Sequence, residues 1–284
     1  MVKSKTLEIL MKSMKNKTAV GAFNVSNLEV TQAAILAAVE TKKPCIIQIT
    51  SSTMDYTFEA IGDLVRSNID RLGKGVDIGF HLDHGHSFDD IVRAIDLGVD
   101  SVMIDASRLS LEENIALTKK VVEYAHPRGV AVQAELGKVP YLGREKLDIN
   151  WDEVMTNPND AKRLVDETGV DALAIAIGNA HGFFREKSDP DWERLKAINA
   201  KLPDNPLILH GASDWEGEKV RKAIEFGING FNIDTDIRVA FCSAICKMAG
   251  DKHCEVNDPR KILKVARDDA QKVIEKKINM FAGN

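Results

Sequence analysis

Three histidines and one aspartate lie within six residues of the stretch GFHLDHGHSF, residues 79–88. Imidazole and carboxylate groups often bind transition metals and transfer protons near neutral pH. A turn that happens to be rich in histidine is the alternative interpretation. Within the stretch, His81 is expected to pack inside a strand and His86 to lie in a turn, which leaves Asp83 and His84 as the reactive pair.

Histidine at the end of an apolar run occurs at three places in the chain. His84, His181 and His210 stand in LDHG, NAHG and LHGAS, and glycine follows each of them. Glycine allows a sharp backbone turn and the close approach of a ligand. Three neutral imidazoles that leave one position open are typical of a catalytic zinc site. We therefore predict that the three bind one metal ion, although each alone would more often be structural.

Carboxylates near these histidines extend the predicted site. A carboxylate that stays ionised beside a cation can accept a proton from a substrate hydroxyl. We predict that Asp83 is this general base, with an ion-pair anchor as the alternative. Asp105 and Glu135 are predicted to bind a second metal ion or to orient the histidines.

Eight short apolar or β-branched runs, typical of strands, predict how these residues are brought together. Most runs are separated by an amphipathic helical pattern, as in NLEVTQAAILAAVETK, and no glycine-rich phosphate turn follows the first run. An α/β fold closed as a (β/α)8 TIM barrel fits this repeat better than a doubly wound sheet. The runs are TAVGAFNV, PCIIQITS, DIGFHLDH, SVMIDAS, VAVQAELG, ALAIAIG, PLILHG and GFNIDT.

Polar residues follow the strands at their carboxyl ends, which converge on one mouth in a barrel. We predict a single active-site rim there. Small hydrogen-bonding groups after the seventh and eighth runs also suit a phosphate group, with helix capping as the alternative. The rim residues are Asn24, Thr50, Ser51, Asp83, His84, Asp105, Glu135, His181, His210, Gly211, Ser213, Asn232, Asp234 and Thr235.

The chain is predicted to form one barrel domain over residues 1–284. A length of 284 residues suits two ordinary domains or one large barrel, and the strand count favours the barrel. The longest irregular segment, about 138–158, is predicted to be a lid over the active site, with a surface excursion as the alternative. A long C-terminal helix is predicted at about 259–281.

Composition argues against several classes of protein. A net charge of −5 provides no basic face for nucleic acid, and no apolar run approaches the roughly 18 residues that span a bilayer. The N-terminus lacks the features of a signal peptide, so we expect a cytoplasmic protein that binds no membrane. The four cysteines are expected to be reduced, with Cys242 and Cys246 packed in the core.

Several short motifs resemble those of the class II, metal-dependent ketose-bisphosphate aldolases and stand in the same order. The resemblance covers nearly the whole chain, from GAFNVSNLE near the start to DPRKILKVARDDAQKVIEKKINMF at the end. It implies a zinc-dependent lyase on a TIM barrel that acts on a phosphorylated sugar and forms a homodimer or homotetramer. The motifs are HLDHG, SVMIDAS, EENIALTKKVV, AELG, DALAIAIGNAHG, LHGAS and NIDTD.

The resemblance also implies a role for individual residues. His84, His181 and His210 would bind the catalytic zinc ion, and Asp83 would be the acid/base at the cleaved bond. Asp105 and Glu135 match positions that hold a second divalent ion in some members. Arg260 resembles the arginine that binds the second phosphate. The dihydroxyacetone phosphate site, usually helped by a monovalent cation such as Na⁺ or K⁺, matches Gly182, Gly211, Ala212, Ser213, Asn232, Ile233, Asp234 and Thr235.

Some positions depart from the family pattern. The usual glycine-pair, glutamate, aspartate sequence of the lid is replaced by GKVPYLGREKLD, in which Glu145 is the candidate substitute for the lid acid. Gln133 stands in place of a glutamate, and Thr50 in place of a serine found in fructose-specific members. In HGFFREK, Arg185 is left to supply the positive charge of a more usual lysine. These changes make the reaction type better defined than the substrate.

The predicted function is reversible cleavage of a ketose bisphosphate to dihydroxyacetone phosphate and an aldehyde such as glyceraldehyde 3-phosphate. Fructose 1,6-bisphosphate is favoured because of DPRK. Tagatose bisphosphate, which differs at C4 alone, and other phosphorylated sugars are alternatives within the class. A zinc- and sugar-phosphate-binding barrel with little lyase activity, or a barrel isomerase or metal hydrolase, are alternatives outside it.

Overall fold

Eight parallel strands close into a barrel in sequence order in the computed structural model, which describes residues 3–140, 150–180, 189–215, 217–250 and 258–283. The last strand pairs in parallel with the first, so the barrel has no open edge. The predicted fold class is confirmed. The strands are β1 (Val20–Asn24), β2 (Cys45–Thr50), β3 (Ile78–Gly85), β4 (Ser101–Ile104), β5 (Ala131–Leu136), β6 (Ala172–Ile175), β7 (Leu207–Leu209) and β8 (Ile228–Ile233).

Helices follow the strands and cover the outside of the barrel. Two of them begin with a capping box, in which Ser87 and Asp90, or Ser110 and Glu113, satisfy each other's backbone N–H groups. The helices are α1 (Lys5–Asn16), α2 (Leu28–Thr41), α3 (Ser51–Tyr56), α4 (Ile61–Leu72), α5 (Phe88–Asp96), α6 (Leu111–Ala125), α7 (Trp151–Val154), α8 (Pro158–Thr168), α9 (Trp192–Lys201), α10 (Gly217–Glu225), α11 (Thr235–Gly250) and α12 (Pro259–Phe281).

The hydrophobic core has two parts. The larger lies between the strands and the surrounding helices, and the smaller fills the barrel with strand residues such as Val20, Ala22 and Met103, against Ile9 and Leu10 of α1. Both faces of each strand are therefore buried, which explains the continuous apolar runs in the sequence.

Helix α1 closes the amino-terminal end of the barrel. Asp100, just before β4, accepts hydrogen bonds from the Ser4 hydroxyl and the Thr6 backbone N–H, each 2.8 Å long. Its other carboxylate oxygen accepts from the backbone N–H of Phe80 at 2.9 Å. A ligand that enters the barrel has to use the opposite end, where the strands end.

The structure differs from the sequence-based expectations at a few places. The eighth strand begins at Ile228, two residues earlier than the predicted run. Cys242 and Cys246 are exposed, so the prediction that they pack in the core is wrong. Helix α11 buries a different face, which includes Ile237 and Ala244. Within the described parts of the chain, no helix is long and apolar enough to cross a membrane.

Candidate active site

A cavity of ≈ 670 Å³ opens where the strands end. Polar side chains from β1, β2, β3 and β5 line it, together with residues that follow β4 and β7 and residues at the end of β8. It therefore brings together most of the predicted rim residues in one place. The lining includes Asn24, Thr50, Ser51, Asp83, His84, Asp105, Glu135, His210, Gly211, Ser213, Asn232, Asp234 and Thr235.

The end of β3 is distorted at the reactive pair. Pairing between β3 and β4 changes register between Leu82 and Gly85, and His84 has a φ of 50°. A left-handed conformation costs a non-glycine residue about 1 to 2 kcal/mol, and such strain is typical of functional sites. Neighbouring residues of a regular strand face opposite sides, whereas Asp83 and His84 both line the cavity.

The glycines that follow two of the histidines serve different purposes. A Cβ at Gly85 would lie 2.9 Å from the carbonyl oxygen of Met103, so close packing requires glycine there. Gly211 has a φ of 64°, so its backbone conformation favours glycine. Both glycines let the chain turn directly after a histidine that lines the cavity.

Two imidazoles and one carboxylate converge at the bottom of the cavity. The Nδ1 atom of His210 lies 2.9 Å from Nε2 of His84, and that Nε2 lies 3.8 Å from a carboxylate oxygen of Asp83. One ligand-type atom from each of the three lies within 4.8 Å of the others. His210 and Asp83 are buried, at 1% and 5% exposure.

The other nitrogen of His84 faces two more carboxylates. Its Nδ1 lies 2.9 Å from Asp105 Oδ2 and 3.6 Å from Glu135 Oε2. Burial by itself lowers the pKa of His84, but the carboxylates of Asp83, Asp105 and Glu135 outweigh it and raise this pKa to about 10. The carboxylates therefore hold a proton on His84 and create a place that favours a cation.

The pKa of Glu135 also indicates that the site favours positive charge. Burial, reinforced by the nearby carboxylates of Asp105 and Asp83, raises the pKa of Glu135 to about 8 in spite of His84. Its Oε2 atom is buried and accepts no hydrogen bond from any residue that the structure describes, with His84 Nδ1 3.6 Å away. A buried carboxylate oxygen without a partner is costly unless a cation binds it.

The donor atoms around His84 suit a metal ion. The cluster combines imidazole nitrogens, which suit zinc, with carboxylate oxygens, which suit zinc or harder divalent ions. It also contains a proton that a metal ion can replace and a buried carboxylate oxygen that accepts no hydrogen bond within the described part of the chain. The donor set fits a divalent cation.

Asp83 is held by three amide groups. The side chains of Asn24 and Asn232 donate to its two oxygens at 2.8 and 3.0 Å, and Gln48 donates at 3.3 Å. Burial would raise the pKa of Asp83, but the charges of His84 and His210 and the hydrogen bond from Asn24 keep it below its usual value. The carboxylate is therefore ionised and fixed in orientation, as a general base requires.

The Nε2 atom of His210 lies near two side-chain amides. Its Nε2 atom lies 3.1 Å from the Asn232 amide nitrogen and 3.4 Å from that of Gln133. Gln133 is one of the positions where the family resemblance implies a different residue, and a neutral amide lies beside this histidine. His81 is buried, and its Nδ1 lies 2.9 Å from the Ser101 hydroxyl, as expected of a packed histidine.

The loops after β7 and β8 form the wall on one side of the cavity. Gly211, Ser213, Asp234 and Thr235 line it, and burial raises the pKa of Asp234 although Arg238 opposes this. Ala212 and Ile233 are buried in the hydrophobic core instead, at 1% and 0% exposure. These two can contribute only their backbone groups to a ligand.

Several predicted site residues do not join the cluster. Arg260 is 90% exposed in its side chain, bonds to Asp258 at 3.0 Å and does not line the cavity. His86, which the sequence predicts to lie in a turn and not in the site, is exposed at the cavity rim with its Nδ1 3.7 Å from Asp105. The predictions for Glu145, His181, Gly182 and Arg185 lie outside the described residues.

Two cations at the rim were missed by the sequence reasoning. Arg108 and Lys138 line the cavity after β4 and β5. Gln48, which donates to Asp83, was also missed. Arg108 and Lys138 directly follow predicted strands, and Gln48 lies inside one. The same criterion selected Asp105 and Glu135, so it could have identified these three residues as well.

The fold and the site define a class of protein: a (β/α)8 barrel whose mouth combines an ionised carboxylate with donor groups that suit a divalent cation. Comparisons with known proteins agree. The family model "Fructose-bisphosphate aldolase class-II" matches residues 4–284. The chain is 37% identical over 279 residues to the fructose-bisphosphate aldolase of Geobacillus stearothermophilus, which covers 98% of this chain and 96% of that protein.

Other relatives give the same result. The fructose-bisphosphate aldolase of Thermus caldophilus is 38% identical over 298 residues, covering 97% of this chain and 96% of that protein. The crystal structure of the YdjI aldolase from Escherichia coli K12 superposes with a TM-score of 0.85 at 31% identity, covering 98% of this chain and 97% of that one. The chain belongs to the class II fructose-bisphosphate aldolase family and is a lyase of the aldolase type.

Proposed function

We propose that this chain reversibly cleaves fructose 1,6-bisphosphate to dihydroxyacetone phosphate and glyceraldehyde 3-phosphate. One observation carries the proposal: an ionised, buried carboxylate, Asp83, lies beside the metal-type donors His84 and His210 in a single cavity. The relatives named fructose-bisphosphate aldolase supply the substrate.

Asp83 would take the proton from the C4 hydroxyl in the cleavage direction and return it during synthesis. Asn24, Gln48 and Asn232 hold its oxygens, so the carboxylate need not reorient when the proton moves. Its burial, at 5% exposure, shields the carboxylate itself from bulk water.

His84 and His210, together with His181, would hold zinc. Zinc supplies Lewis acidity, which stabilises negative charge on the substrate's carbonyl oxygen. Asp105 and Glu135 would orient His84 or hold a second divalent ion. A Na⁺ or K⁺ ion near the phosphate completes the set of proposed ions.

The phosphate of dihydroxyacetone phosphate would bind at the wall formed by the loops after β7 and β8. Gly211, Ser213 and Thr235 line this wall and offer hydroxyl and backbone groups. Gly182, Arg185 and Glu145 remain proposals of the family resemblance. Thr50 and Ser52, 2.9 Å apart between hydroxyl oxygens, line the cavity after β2 and suit the distal part of the sugar.

A ketose 1-phosphate, or tagatose bisphosphate, is the second candidate substrate. Arg260, which the resemblance assigns to the second phosphate, bonds to Asp258 outside the cavity lining. Arg108 and Lys138 do line the cavity and are the alternative groups for that phosphate.

A coupled assay for release of dihydroxyacetone phosphate tests the function. Purified protein is assayed with zinc, after chelation, and again after zinc is restored, on fructose and tagatose bisphosphates and on ketose 1-phosphates. We expect zinc-dependent release that is greatest with fructose 1,6-bisphosphate. Zinc binding without release from any of these substrates would contradict the proposal and favour a binding protein with little lyase activity.

The family resemblance further supports a cytoplasmic homodimer or homotetramer. The candidate contact is α12, on which Val265 is 38% exposed. Light scattering on the purified protein measures the assembly, and a mass equal to the 31.3 kDa chain would contradict this proposal.

A further inference from the structure

Lys277 is a buried lysine far from the catalytic cluster in sequence. It lies on α12, and the residue is 7% exposed. A buried ammonium group is costly unless it is paired and hydrogen-bonded, so its partners indicate what it does.

Among the described residues, Lys277 contacts Ser213, which lines the wall that faces the proposed phosphate, and Asp236, which lies in the helix directly after that wall. Its Nζ lies 2.7 Å from Oδ2 of Asp236, in the first turn of α11, and donates a hydrogen bond to the backbone carbonyl of Ser213. The side chain of Asp236 is 15% exposed, so the ion pair is shielded from water. One ammonium group thus connects the loop after β7 to the helix that follows β8.

The Ser213 loop has space on both sides. Ser213 lines the active-site cavity and also a second cavity of ≈ 620 Å³ behind it, whose lining includes Lys277, Asp236 and Trp215. The loop is therefore a thin wall that has room to move backward. Lys277 contacts this wall from behind and does not itself line the active-site cavity.

We propose that Lys277 is a positioning residue for phosphate: it holds the Ser213 loop forward, against the phosphate group of the substrate. This inference rests on the proposed function, because it takes the wall after β7 and β8 as the phosphate site. Lys277 therefore acts on the wall through its hydrogen bond to the Ser213 carbonyl.

Phosphate affinity measured without turnover tests this inference. Binding of inorganic phosphate to the zinc-loaded protein is measured by calorimetry for wild type, Lys277→Met and Lys277→Gln. We expect the Kd of phosphate to rise about ten- to a hundredfold in Lys277→Met, since a charge-assisted hydrogen bond is lost, and less in Lys277→Gln, which keeps an N–H donor. Lys272→Met is the matched control, because Lys272 lies on the same helix, is 73% exposed in its side chain and lines neither cavity, and the Kd of this variant should not change.

Kinetics separate positioning from a purely structural role. With the sugar phosphate that gives the highest turnover, we expect KM to rise by a similar factor in Lys277→Met while kcat changes less than about threefold. A folded variant with lower thermal stability but unchanged phosphate Kd and KM would overturn the inference. If Lys277→Met does not fold, Lys277→Gln decides by the same criterion.

Cleavage and phosphate binding, measured together, distinguish an error in the role of Lys277 from an error in the proposed function. Absence of cleavage in the wild type, with phosphate binding weakened by Lys277→Met, would contradict the lyase and leave the phosphate site supported. Normal cleavage with unchanged phosphate affinity in both Lys277 variants would contradict the inference alone.

Discussion

At the scale of single residues, the site is governed by charge. Three carboxylates surround His84, one of its nitrogens faces Asp105 and Glu135, and the other faces His210 and Asp83. Burial makes each of these charges depend on the others. The reactive groups should therefore respond to substitutions and to pH in ways that a solvent-exposed cluster would not.

Loss of the charge on Asp83 should greatly slow catalysis and spare the fold. Asparagine keeps the size of the side chain and one oxygen acceptor for Asn24 or Asn232, but cannot take a proton. We expect Asp83→Asn to lower kcat by about 10² to 10⁴ in the coupled assay. Bound zinc, measured by atomic absorption, should stay stoichiometric. Asp77→Asn, at a half-exposed ion pair with Lys5, is the control and should retain activity.

Zinc binding should release protons. Burial opposes a proton on His84, but its carboxylates raise the pKa to about 10, so in the metal-free protein the imidazole is charged at neutral pH. Zinc has to displace that proton, and we expect about one proton released and a zinc Kd that falls about tenfold per pH unit between pH 7 and 9. Calorimetry in two buffers of different ionisation enthalpy measures the release.

The proton on His84 also makes the stability of the metal-free protein depend on pH. Because the folded pKa of His84 is raised above 6.5, its charge stabilises the metal-free protein fully below pH 6.5, and this contribution is lost as the pH rises toward 10. Zinc binding that releases no proton at pH 7.5 would show that His84 is neutral before the metal binds.

Replacement of Arg108 should weaken the binding of bisphosphates and leave the binding of monophosphates unchanged. Its guanidinium lines the cavity, and loss of a charge-assisted contact to the second phosphate should raise KM for a bisphosphate about tenfold or more. KM for a ketose 1-phosphate should not change. We would compare Arg108→Ala with Arg260→Ala and with Arg71→Ala, a control on α4 outside the cavity. If KM for a bisphosphate rises only in Arg260→Ala, Arg260 binds the second phosphate, as the family resemblance implies, and Arg108 does not.

At the scale of elements, Thr156 connects the end of the predicted lid segment to the barrel. It is fully buried, and its hydroxyl accepts from the Ala176 N–H at 2.8 Å and donates to the Leu136 carbonyl at 2.5 Å. Its own N–H donates to the Ala176 carbonyl at 2.8 Å. The chain at Thr156 is therefore held to the ends of both β5 and β6, next to Glu135.

Replacement of the Thr156 hydroxyl should weaken this connection. Valine has nearly the same volume but leaves two buried backbone groups without partners, so Thr156→Val should lower the free energy of unfolding by about 1 to 3 kcal/mol. Thr41→Val is the control, because its hydroxyl bonds only to carbonyls of its own helix, and we expect less than about 0.5 kcal/mol. Urea denaturation measures both; equal effects would contradict the role of Thr156.

At the scale of the whole molecule, barrel closure unites residues that are distant in sequence. Asp83 and Asn232 are 149 positions apart and hydrogen-bonded at 3.0 Å. A metal ion bound by His84 and His210 would likewise connect strands on different sides of the barrel, so its removal should affect the stability of the entire fold.

Zinc removal should lower Tm by several degrees. A ligand that binds only the folded state stabilises it by about 4 kcal/mol when its concentration is a thousand times its Kd. Differential scanning calorimetry with zinc and with a chelator measures the difference. His210→Ala, which lacks one donor, should show a smaller difference than the wild type. An equal Tm with and without zinc would contradict a metal site inside the fold.

The sequence by itself determined the architecture and the membership of the site. Alternation of apolar runs and amphipathic helices leaves few ways to bury both faces of every strand, and parallel strands place their carboxyl ends together. Asp83, His84, Asp105, Glu135 and His210 could therefore be assigned to one rim from their positions after strands.

The tertiary structure alone decided how these groups meet. The register change after Leu82 turns Asp83 and His84 into the same cavity, and the packing of α11 leaves Cys242 and Cys246 outside the core. Lys277 reaches the carbonyl of Ser213 across 64 positions. Such contacts depend on strand stagger and helix packing, which arise from interactions between distant parts of the chain, so no local pattern in the sequence specifies them.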